Sequence, residues 1–221
     1  MQWFDGEQLG HAAILTRGAF DTAKTTSHIE AMPRHSVRDV IVETALGEFH
    51  RIGYAACSVD TITRAAGVPK GSFYNHFRSK EELAVEVVAK YAAQAEWHGV
   101  TDPELTPLAK LRAQFRVMAD VFVGNGHTRG CMIGNMGEEL ADHSEPMRAQ
   151  VRASLSGWAE DIAATLRAAR EAGELTVDAD PDVLGRFVLD AWEGALLRAK
   201  AVKNDQPVED FFTTVFVHLL R

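Results

Sequence analysis

The stretch from Ser58 to Phe77, SVDTITRAAGVPKGSFYNHF, decides how this chain folds. Ser58 is a good N-cap for a first short helix, and Gly67 ends that helix because glycine adopts the left-handed conformation at little cost. Pro69 can open a second helix, since the first helical position has no amide hydrogen bond to lose. Two short helices joined by a glycine turn are typical of a helix-turn-helix, which docks on duplex DNA.

The second helix has one apolar face and one polar face. Phe73 and Phe77 lie four residues apart, so both can anchor the helix to the core of its domain. An ordinary turn between two packed helices would show the same two phenylalanines, which leaves that alternative open. The other face carries hydrogen-bond donors and bulky polar groups suited to phosphates and base edges, namely Lys70, Ser72, Tyr74, Asn75 and His76.

The flanking segments predict a helix on each side of this pair. Ser36 and Asp39 form a capping box at the start of a helix that reaches Ile52. Ser79 and Glu82 form a second box, S-x-x-E, which opens a long helix. The result is a three-helix domain followed by a connecting helix, and these flanks favour the DNA-binding interpretation.

The segment from Val59 to Glu82 resembles the DNA-binding signature of the TetR-like (tetracycline-repressor) family of transcriptional regulators. Pro69 departs from the serine that is frequent in the family, and Asn75 departs from a frequent aromatic residue or histidine. The base preference therefore does not carry over. The matching residues are Ile62, Ala65-Ala66-Gly67-Val68, Lys70-Gly71-Ser72, Phe73-Tyr74, His76-Phe77 and Ser79-Lys80-Glu81.

The resemblance implies an all-α fold, in which an N-terminal three-helix helix-turn-helix domain is joined by a connecting helix to a larger helical ligand-binding and dimerisation domain. It implies a DNA-binding regulator, in particular a repressor that a small-molecule inducer releases from double-stranded operator DNA. It also implies site residues: Tyr74, His76 and Lys80 on phosphates; Lys70, Gly71, Ser72 and Asn75 at the groove; and Thr61 and Arg64 on the DNA backbone.

The distribution of charge fits a protein that meets DNA at one end. The whole chain has a formal charge of −8, which alone disfavours nucleic acid as a partner. Residues 34–80, however, hold seven Lys or Arg against four Asp or Glu, whereas residues 81–221 hold 14 against 23. A basic head on an acidic body is expected when only the head contacts DNA.

The domain organisation expected from these patterns has three parts. Residues 34–80 form the DNA-binding domain and residues 81–221 the ligand-binding and dimerisation domain. Residues 1–33 form an extension with no motif, expected to be a disordered or loosely docked arm. Arg17 or Lys24 of that arm could reach DNA, and Met32 is an alternative natural start.

Composition excludes several other classes. No run is long and apolar enough to cross a membrane, and no basic-then-apolar signal peptide stands at the start. Two cysteines far apart do not make a disulfide framework. The cytoplasm is the expected location, and no cofactor or metal is expected.

The segment from Gly130 to Leu140 is unusual for a helix, because it combines three glycines and two methionines with polar residues. Glycines cost helix stability, so they indicate either close packing or an opening beside a cavity. In several TetR-like regulators this region borders the ligand pocket. The candidate pocket or sensor residues are Phe115, Met118, Phe122, Cys131, Met132, Asn135, Met136, Trp158 and Trp192.

Cys131 suggests a sharper hypothesis, a thiol that senses electrophiles or oxidants. His127 and Arg129 lie nearby in the sequence and would favour the thiolate. A buried and inert cysteine is the alternative.

Two other functions compete with regulation by DNA binding. An enzyme would use Cys131 as its nucleophile, with His127 or His143 as base and Glu138 or Glu139 as orienting group. A metal site built from His127, Cys131 and His143 matches no closed zinc pattern. A helical interaction protein that has lost DNA binding is the second competitor, and the intact segment from Lys70 to Lys80 is evidence against it.

The rest of the body predicts long helices and a symmetric dimer. Ser144–Ala172 is amphipathic, and a helix with small residues on one face opens after Pro181. The last helix carries an apolar band too rich for the surface of a monomer. We expect a homodimer through the last two helices, with recognition helices about 34 Å apart and the helix that begins at Ser79 transmitting the ligand signal.

Overall fold

The computed structural model describes residues 36–94 and 102–220, and every regular element in these two ranges is helical. The predicted all-α fold is therefore confirmed. The expectations for residues 1–33, including Arg17, Lys24 and Met32, lie outside the described residues. The first four helices are α1 (Val37–Ile52), α2 (Val59–Ala65), α3 (Lys70–Tyr74) and α4 (Lys80–Gln94).

Local capping sets where α1 and α4 begin. At α1, Ser36 Oγ accepts a hydrogen bond from Asp39 N at 3.2 Å, and Asp39 Oδ2 accepts one from Ser36 N at 3.2 Å. At α4, Ser79 Oγ accepts from Glu82 N at 3.0 Å. The Glu82 carboxylate accepts from Arg78 N at 2.7 Å, one residue before the position that a full capping box uses. Both helix starts are confirmed.

The helix-turn-helix closes on an apolar core. Gly67 has φ +67°, which is the left-handed conformation expected of a glycine that ends a helix. Pro69 then caps α3. Ile62, Phe73 and Phe77 are almost fully buried, so the predicted anchoring of α3 by its two phenylalanines is confirmed.

Ion pairs join α1 to the connecting helix α4. The Arg38 guanidinium donates to both Glu86 carboxylate oxygens, at 2.7 and 2.5 Å, and lies 5.0 Å from the centre of the Phe77 ring. Lys90 pairs with Glu43 further along the same two helices. Helix α4 is thus attached to α1 at two successive turns.

Five helices and a final π-helical turn make up the body. Helix α4 packs against both α1 and the body, and the domain boundary predicted after residue 80 stays a prediction. The longest predicted helix, Ser144–Ala172, is confirmed with Ser144 as its N-cap. The elements are α5 (Pro107–Gly124), α6 (Met132–Leu140), α7 (Glu145–Glu171), α8 (Pro181–Val202), α9 (Gln206–Thr213) and the π-helix Thr214–Leu219.

The body is held together by the close crossing of α7 and α8. A Cβ atom on Gly185 would lie 2.7 Å from the carbonyl oxygen of Ala159, so only glycine permits this approach. In the two described ranges, no helix combines the length and apolar character needed to span a membrane.

Candidate functional site

The outer face of α3 presents the polar side chains that the sequence predicts. The Tyr74 side chain is 57% exposed and packs edge-on against the buried Phe73 ring, with the ring centres 5.1 Å apart. Asn75 and His76 follow at the end of the helix and are also exposed. The core therefore fixes the backbone of α3 while these donors remain available to a ligand.

Lys70 lies at the start of α3 and forms an ion pair within the domain. Its Nζ atom lies 2.9 Å from Asp60 Oδ1, and both side chains remain about half exposed. Nearby negative charge, chiefly the hydrogen bond with Asp60, raises the pKa of Lys70. The lysine is thus fully charged at neutral pH and holds a carboxylate where a phosphate could bind.

Gly71 is exposed, and no atom lies within 4 Å of the position that a Cβ would occupy. Its φ is not positive, so neither the turn nor the packing requires glycine here. A glycine on an open helix surface lets another backbone approach closely. Ser72, the next residue, is half-buried.

Helix α2 adds two of the predicted contacts. Thr61 lies in its first turn, where its hydroxyl group is 2.9 Å from Ser58 Oγ. Its backbone N also donates to Ser58 Oγ at 3.0 Å, which confirms Ser58 as the N-cap. Arg64 is exposed at the far end of the helix.

The Lys80 side chain, expected on a phosphate, is hydrogen-bonded within the head. Its ammonium donates to the carbonyl oxygens of Tyr54 and Cys57, both at 2.9 Å, and lies 3.9 Å from the centre of the Tyr54 ring. The side chain therefore satisfies backbone carbonyls between α1 and α2 and braces that loop.

The predicted pocket residues separate into two groups. Phe115 and Trp192 belong to an aromatic cluster with Phe211, in which each pair of ring centres is 5.1 to 5.2 Å apart. Phe122 packs against His127 instead. These aromatic residues, with the partly buried Met118, form core packing between α5, α8 and α9.

The second group surrounds the start of α6. Cys131 is the N-cap residue, and Met132 and Met136 are buried. Asn135 donates to the Arg129 carbonyl oxygen at 2.6 Å and accepts from Lys200 Nζ at 3.2 Å. Trp158 of α7 donates from Nε1 to the Ala92 carbonyl oxygen at 3.3 Å.

The expectation that neighbouring residues favour a Cys131 thiolate is wrong. Burial raises the pKa of Cys131 well above its ordinary value, and the Glu193 carboxylate adds to the rise. His127, with φ 54°, instead forms an ion pair with Asp205. Cys131 is thus a buried thiol that resists ionisation.

Polar groups from three further helices meet Cys131 inside the body. The Cys131 thiol hydrogen-bonds to the Glu193 carboxylate from α8, and the Tyr91 hydroxyl from α4 lies against the same thiol. His50 of α1 stacks edge-on against Tyr91, 5.6 Å between ring centres. Its Nε2 atom lies 2.8 Å from the Gly130 carbonyl oxygen. We call Tyr91, Cys131 and Glu193 the buried polar node.

Ionisation of these groups is strongly affected by burial. Burial raises the pKa of Glu193 to about 7, and the negative charges of Asp190 and Glu138 also raise it, while the hydrogen bond from Cys131 lowers it. Burial lowers the pKa of His50 to about 4. Burial likewise raises the pKa of Tyr91.

The other end of α6 contacts the DNA-binding head. The Glu139 carboxylate accepts hydrogen bonds from Tyr54 N at 3.0 Å and from Ala55 N at 2.8 Å. A Cβ atom on Gly53 would lie 2.8 Å from Glu139 Oε1, so the glycine makes room for the carboxylate. One helix thus touches the buried polar node at its start and the head at its end.

Sequence reasoning missed Glu193, Tyr91 and His50 as site residues. Glu193 is a charged residue within the run Ala191 to Ala195, which is otherwise small or aromatic, and this was the available signal. For Tyr91 the helical spacing indicated only a core position, and no sequence pattern marked His50. Among the residues that the structure describes, no three His, Cys, Asp or Glu side chains are grouped to hold a metal ion.

An exposed recognition helix on a small three-helix head, attached to a larger helical body, defines a helix-turn-helix DNA-binding regulator. Comparison with family models supports this class for both parts. The model described as bacterial regulatory proteins, tetR family, matches residues 41–87, and the tetracyclin repressor-like C-terminal domain matches residues 107–215. The chain belongs to the TetR family of transcriptional regulators.

Individual relatives extend the match along the chain. The transcriptional regulator AcuR of Cereibacter sphaeroides is 35% identical over 183 residues, which cover 81% of this chain and 84% of AcuR. The repressor DhaR of a Mycobacterium species is 33% identical over 192 residues, covering 86% and 95%. The reduced form of Escherichia coli NemR superposes with a TM-score of 0.75 at 27% identity, covering 82% and 95%.

These relatives are regulators of transcription, so the chain is a regulator and not an enzyme. Two of the groups named for an enzyme are engaged away from Cys131. Glu139 binds backbone amides of the head, and His127 pairs with Asp205.

Proposed function

We propose that this protein is a repressor that occupies duplex operator DNA through the exposed face of α3. The observation that carries the proposal is the contrast between the two sides of that helix. Phe73 is fully buried, whereas Tyr74 beside it is 57% exposed with its hydroxyl available. A rigid backbone with exposed directed donors is what phosphate and base-edge contacts require.

Specific roles follow for the residues on this face. We assign Tyr74 and His76 to phosphates, and Lys70, Gly71, Ser72 and Asn75 to the groove. Thr61 and Arg64 contact the backbone from α2. Lys80 supports the loop before α2 and does not contact DNA in this proposal.

Two copies are needed to span an operator, and the last two helices are the proposed interface. Helix α8 exposes Val183, Phe187 and Leu197, each more than half exposed, at positions that share one face. Beside this face lies a groove of about 380 Å³ between α7 and α8, with Leu155, Leu189 and two alanines in its wall. The groove is also lined by five polar or charged residues, and exposed apolar residues beside such a mixed groove suit a two-fold symmetric contact.

The inducer is proposed to act through α6. Its first turn lies at the buried polar node, and Glu139 near its end binds the amides of Tyr54 and Ala55. A ligand that displaces the start of α6 would therefore move the head relative to the body. The connecting helix α4 would follow, because Tyr91 of α4 contacts Cys131.

Release from DNA would then be a linkage between two sites. A small molecule that prefers a different spacing of the two heads lowers operator affinity, and the operator lowers ligand affinity by the same factor. A typical coupling is about 1 to 3 kcal/mol. As a DNA-binding regulator, the protein is proposed to act in the cytoplasm.

Operator binding is the direct test of this function. Fluorescence anisotropy should compare a duplex from the region upstream of the protein's own gene with a scrambled duplex of equal length, across a salt series. We expect selective binding that weakens steeply with salt, because lysine and arginine contacts release counterions from the phosphates. Equal affinity for genomic duplexes and scrambled DNA would contradict the proposal.

A further inference from the structure

The buried polar node contains an acceptor that the protein itself leaves unused. Glu193 Oε1 is fully enclosed and has no hydrogen-bond partner among the described residues. The other oxygen, Oε2, points at α6, where a Cβ on Gly134 would lie 2.7 Å away. The carboxyl group is therefore held in a fixed position, with one oxygen committed to the α6 side and the other unpaired.

A buried acceptor without a partner is costly, and native proteins rarely keep one. The residues around it offer no donor for Oε1, because the Cys131 thiol and the Tyr91 hydroxyl are already engaged with each other and with neighbouring groups. A ligand that supplies a donor gains a hydrogen bond to a carboxyl group that is already desolvated. Sites built in this way discriminate strongly between molecules that carry the donor and analogues that lack it.

The charges near the node indicate the kind of donor. Asp190 and Glu138 both place negative charge close to Glu193, which disfavours a ligand carboxylate at this point. The aromatic ring of Tyr91 provides apolar surface beside the same thiol, and the Trp158 ring packs behind it with the ring centres 6.2 Å apart. A cationic or neutral donor on an apolar body complements this arrangement, since ammonium groups bind well to aromatic faces and carboxylates.

We propose that Glu193 Oε1 is the recognition point for the inducer, and that the inducer is a small apolar molecule with an ammonium or hydroxyl hydrogen-bond donor. This inference rests on the proposed function, because it names the ligand class of the site that would release the operator. A ligand inserted between Glu193 and the first turn of α6 displaces the helix that carries Glu139. The donor thus acts on the same helix that holds the head.

Benzylamine, benzyl alcohol and benzoate are matched probes, because they share one apolar body and differ in the polar group. Calorimetry and thermal denaturation of the full-length protein without DNA should detect the two donors at about 10 mM and should not detect benzoate. Glu193→Gln should weaken benzylamine at least tenfold, because the amide carries no charge to pair with the ammonium. Benzyl alcohol should lose less affinity in this variant, because the glutamine amide oxygen still accepts a hydrogen bond from its hydroxyl group.

Two further variants separate recognition from general damage. Glu171→Gln makes the same substitution at an exposed position on α7 and should weaken benzylamine binding no more than about twofold, as expected of a surface charge. Gly134→Ala places a methyl group 2.7 Å from Glu193 Oε2, displaces the carboxyl without changing its charge, and should weaken both donors. Circular dichroism without probe confirms that each variant is folded.

Failure of both donors to bind the wild-type protein overturns the inference, and so does an equal loss of benzylamine binding in Glu193→Gln and Glu171→Gln. Operator binding, measured on the same preparations, tests the proposed function separately. Donor binding that depends on Glu193 in a protein without operator affinity would support this inference and contradict the proposed function. Intact operator binding without binding of either donor would support the proposed function and contradict this inference.

Discussion

The head and the body of this molecule place their polar groups in opposite ways. In the head, Phe73 and Phe77 are buried and Tyr74 is exposed, so the hydrogen-bonding groups face solvent. In the body, Glu193 and Cys131 are enclosed while Phe187 is 52% exposed. A surface of donors suits a polyanion, whereas an exposed apolar face suits a second protein copy and an enclosed polar node suits a small molecule.

The proposed DNA contacts come from one continuous segment, whereas the proposed ligand site is assembled from several helices. The residues proposed to bind DNA fall within 16 consecutive positions, Thr61 to His76. The buried polar node combines residues from α4, α8 and the N-cap of α6, and His50 of α1 packs beside it. Variants of the two regions should therefore fail in different ways.

The largest effect is expected from the exposed apolar face of α8. Phe187→Asp places a charge in the proposed dimer interface and should yield monomers by sedimentation velocity. Loss of the second head should lower operator affinity by about 100-fold or more, as for other paired binding modules. Val117→Asp changes an equally exposed valine on α5 and should leave both properties intact. Dimers that persist in Phe187→Asp would place the interface elsewhere.

The next effect concerns His50, whose buried ring should make stability depend on pH. Its pKa is about 4 in the folded protein against 6.5 ordinarily, so between these values the unfolded chain binds more protons. Stability from this residue is therefore present above pH 6.5 and is lost as pH falls toward 4, by about 3 kcal/mol.

Urea denaturation of the wild-type protein and His50→Gln should reveal this loss as a difference between the two curves. The comparison is needed because Glu193 acts in the opposite direction. Its folded pKa of about 7 lies above the ordinary 4.5, so its contribution becomes more favourable as pH falls through that range. A difference between the variants that does not change from pH 7 to pH 4 would show that the histidine does not titrate as a buried group.

Tyr74→Ala tests the exposed donors of the head. Hydrogen bonds to charged groups contribute about 1.5 to 3 kcal/mol, so operator affinity should fall by about 10- to 100-fold with little change in thermal stability. Tyr74→Phe keeps the ring against Phe73 and should lose nearly as much if the hydroxyl carries the contact. Tyr54→Phe removes a hydroxyl from the same head outside α3 and serves as the control. Equal affinity of wild type and Tyr74→Ala would remove Tyr74 from the interface.

The smallest effect is expected from adding one methyl group to α3, which should change operator affinity and folding stability in opposite directions. Gly71→Ala meets no protein atom within 4 Å and should raise stability by up to about 1 kcal/mol, since alanine favours a helix. Operator affinity should nevertheless fall severalfold, because the methyl group keeps the DNA backbone away. Gly47→Ala in α1 has equally open surroundings and should raise stability without affecting DNA binding. A Gly71→Ala protein that binds operator normally would place the DNA backbone elsewhere.

The sequence was sufficient for features that neighbouring residues determine. The capping residues Ser36, Ser58 and Ser79 and the turn at Gly67 act within a few positions, so their consequences could be predicted and are confirmed. The end of the chain shows the limit of this approach. The apolar spacing there predicts one helix, whereas the structure changes from α9 to a π-helix at Thr214, in which Val215 and Phe216 are still buried.

Long-range contacts could not be predicted for the same physical reason. Lys80 fits the family motif, yet its ammonium turns back 26 positions to the Tyr54 carbonyl oxygen. Cys131 was identified, but its ionisation depends on Glu193, which lies 62 positions away. Burial and partner identity arise only when distant helices meet, so residue type and spacing do not determine them.

The ion pair between Lys70 and Asp60 has a consequence for how this protein finds its target on a chromosome. Under the proposed docking of α3, a phosphate must displace Asp60 before it can bind Lys70. Binding to an arbitrary sequence depends almost entirely on phosphate contacts. At such a sequence, Lys70 paired with Asp60 contributes less binding free energy than an unpaired lysine would. At the operator, contacts in the groove add binding free energy and offset the cost of replacing Asp60 with a phosphate as the partner of Lys70. The carboxylate thus shortens the dwell time at wrong sites and speeds the search.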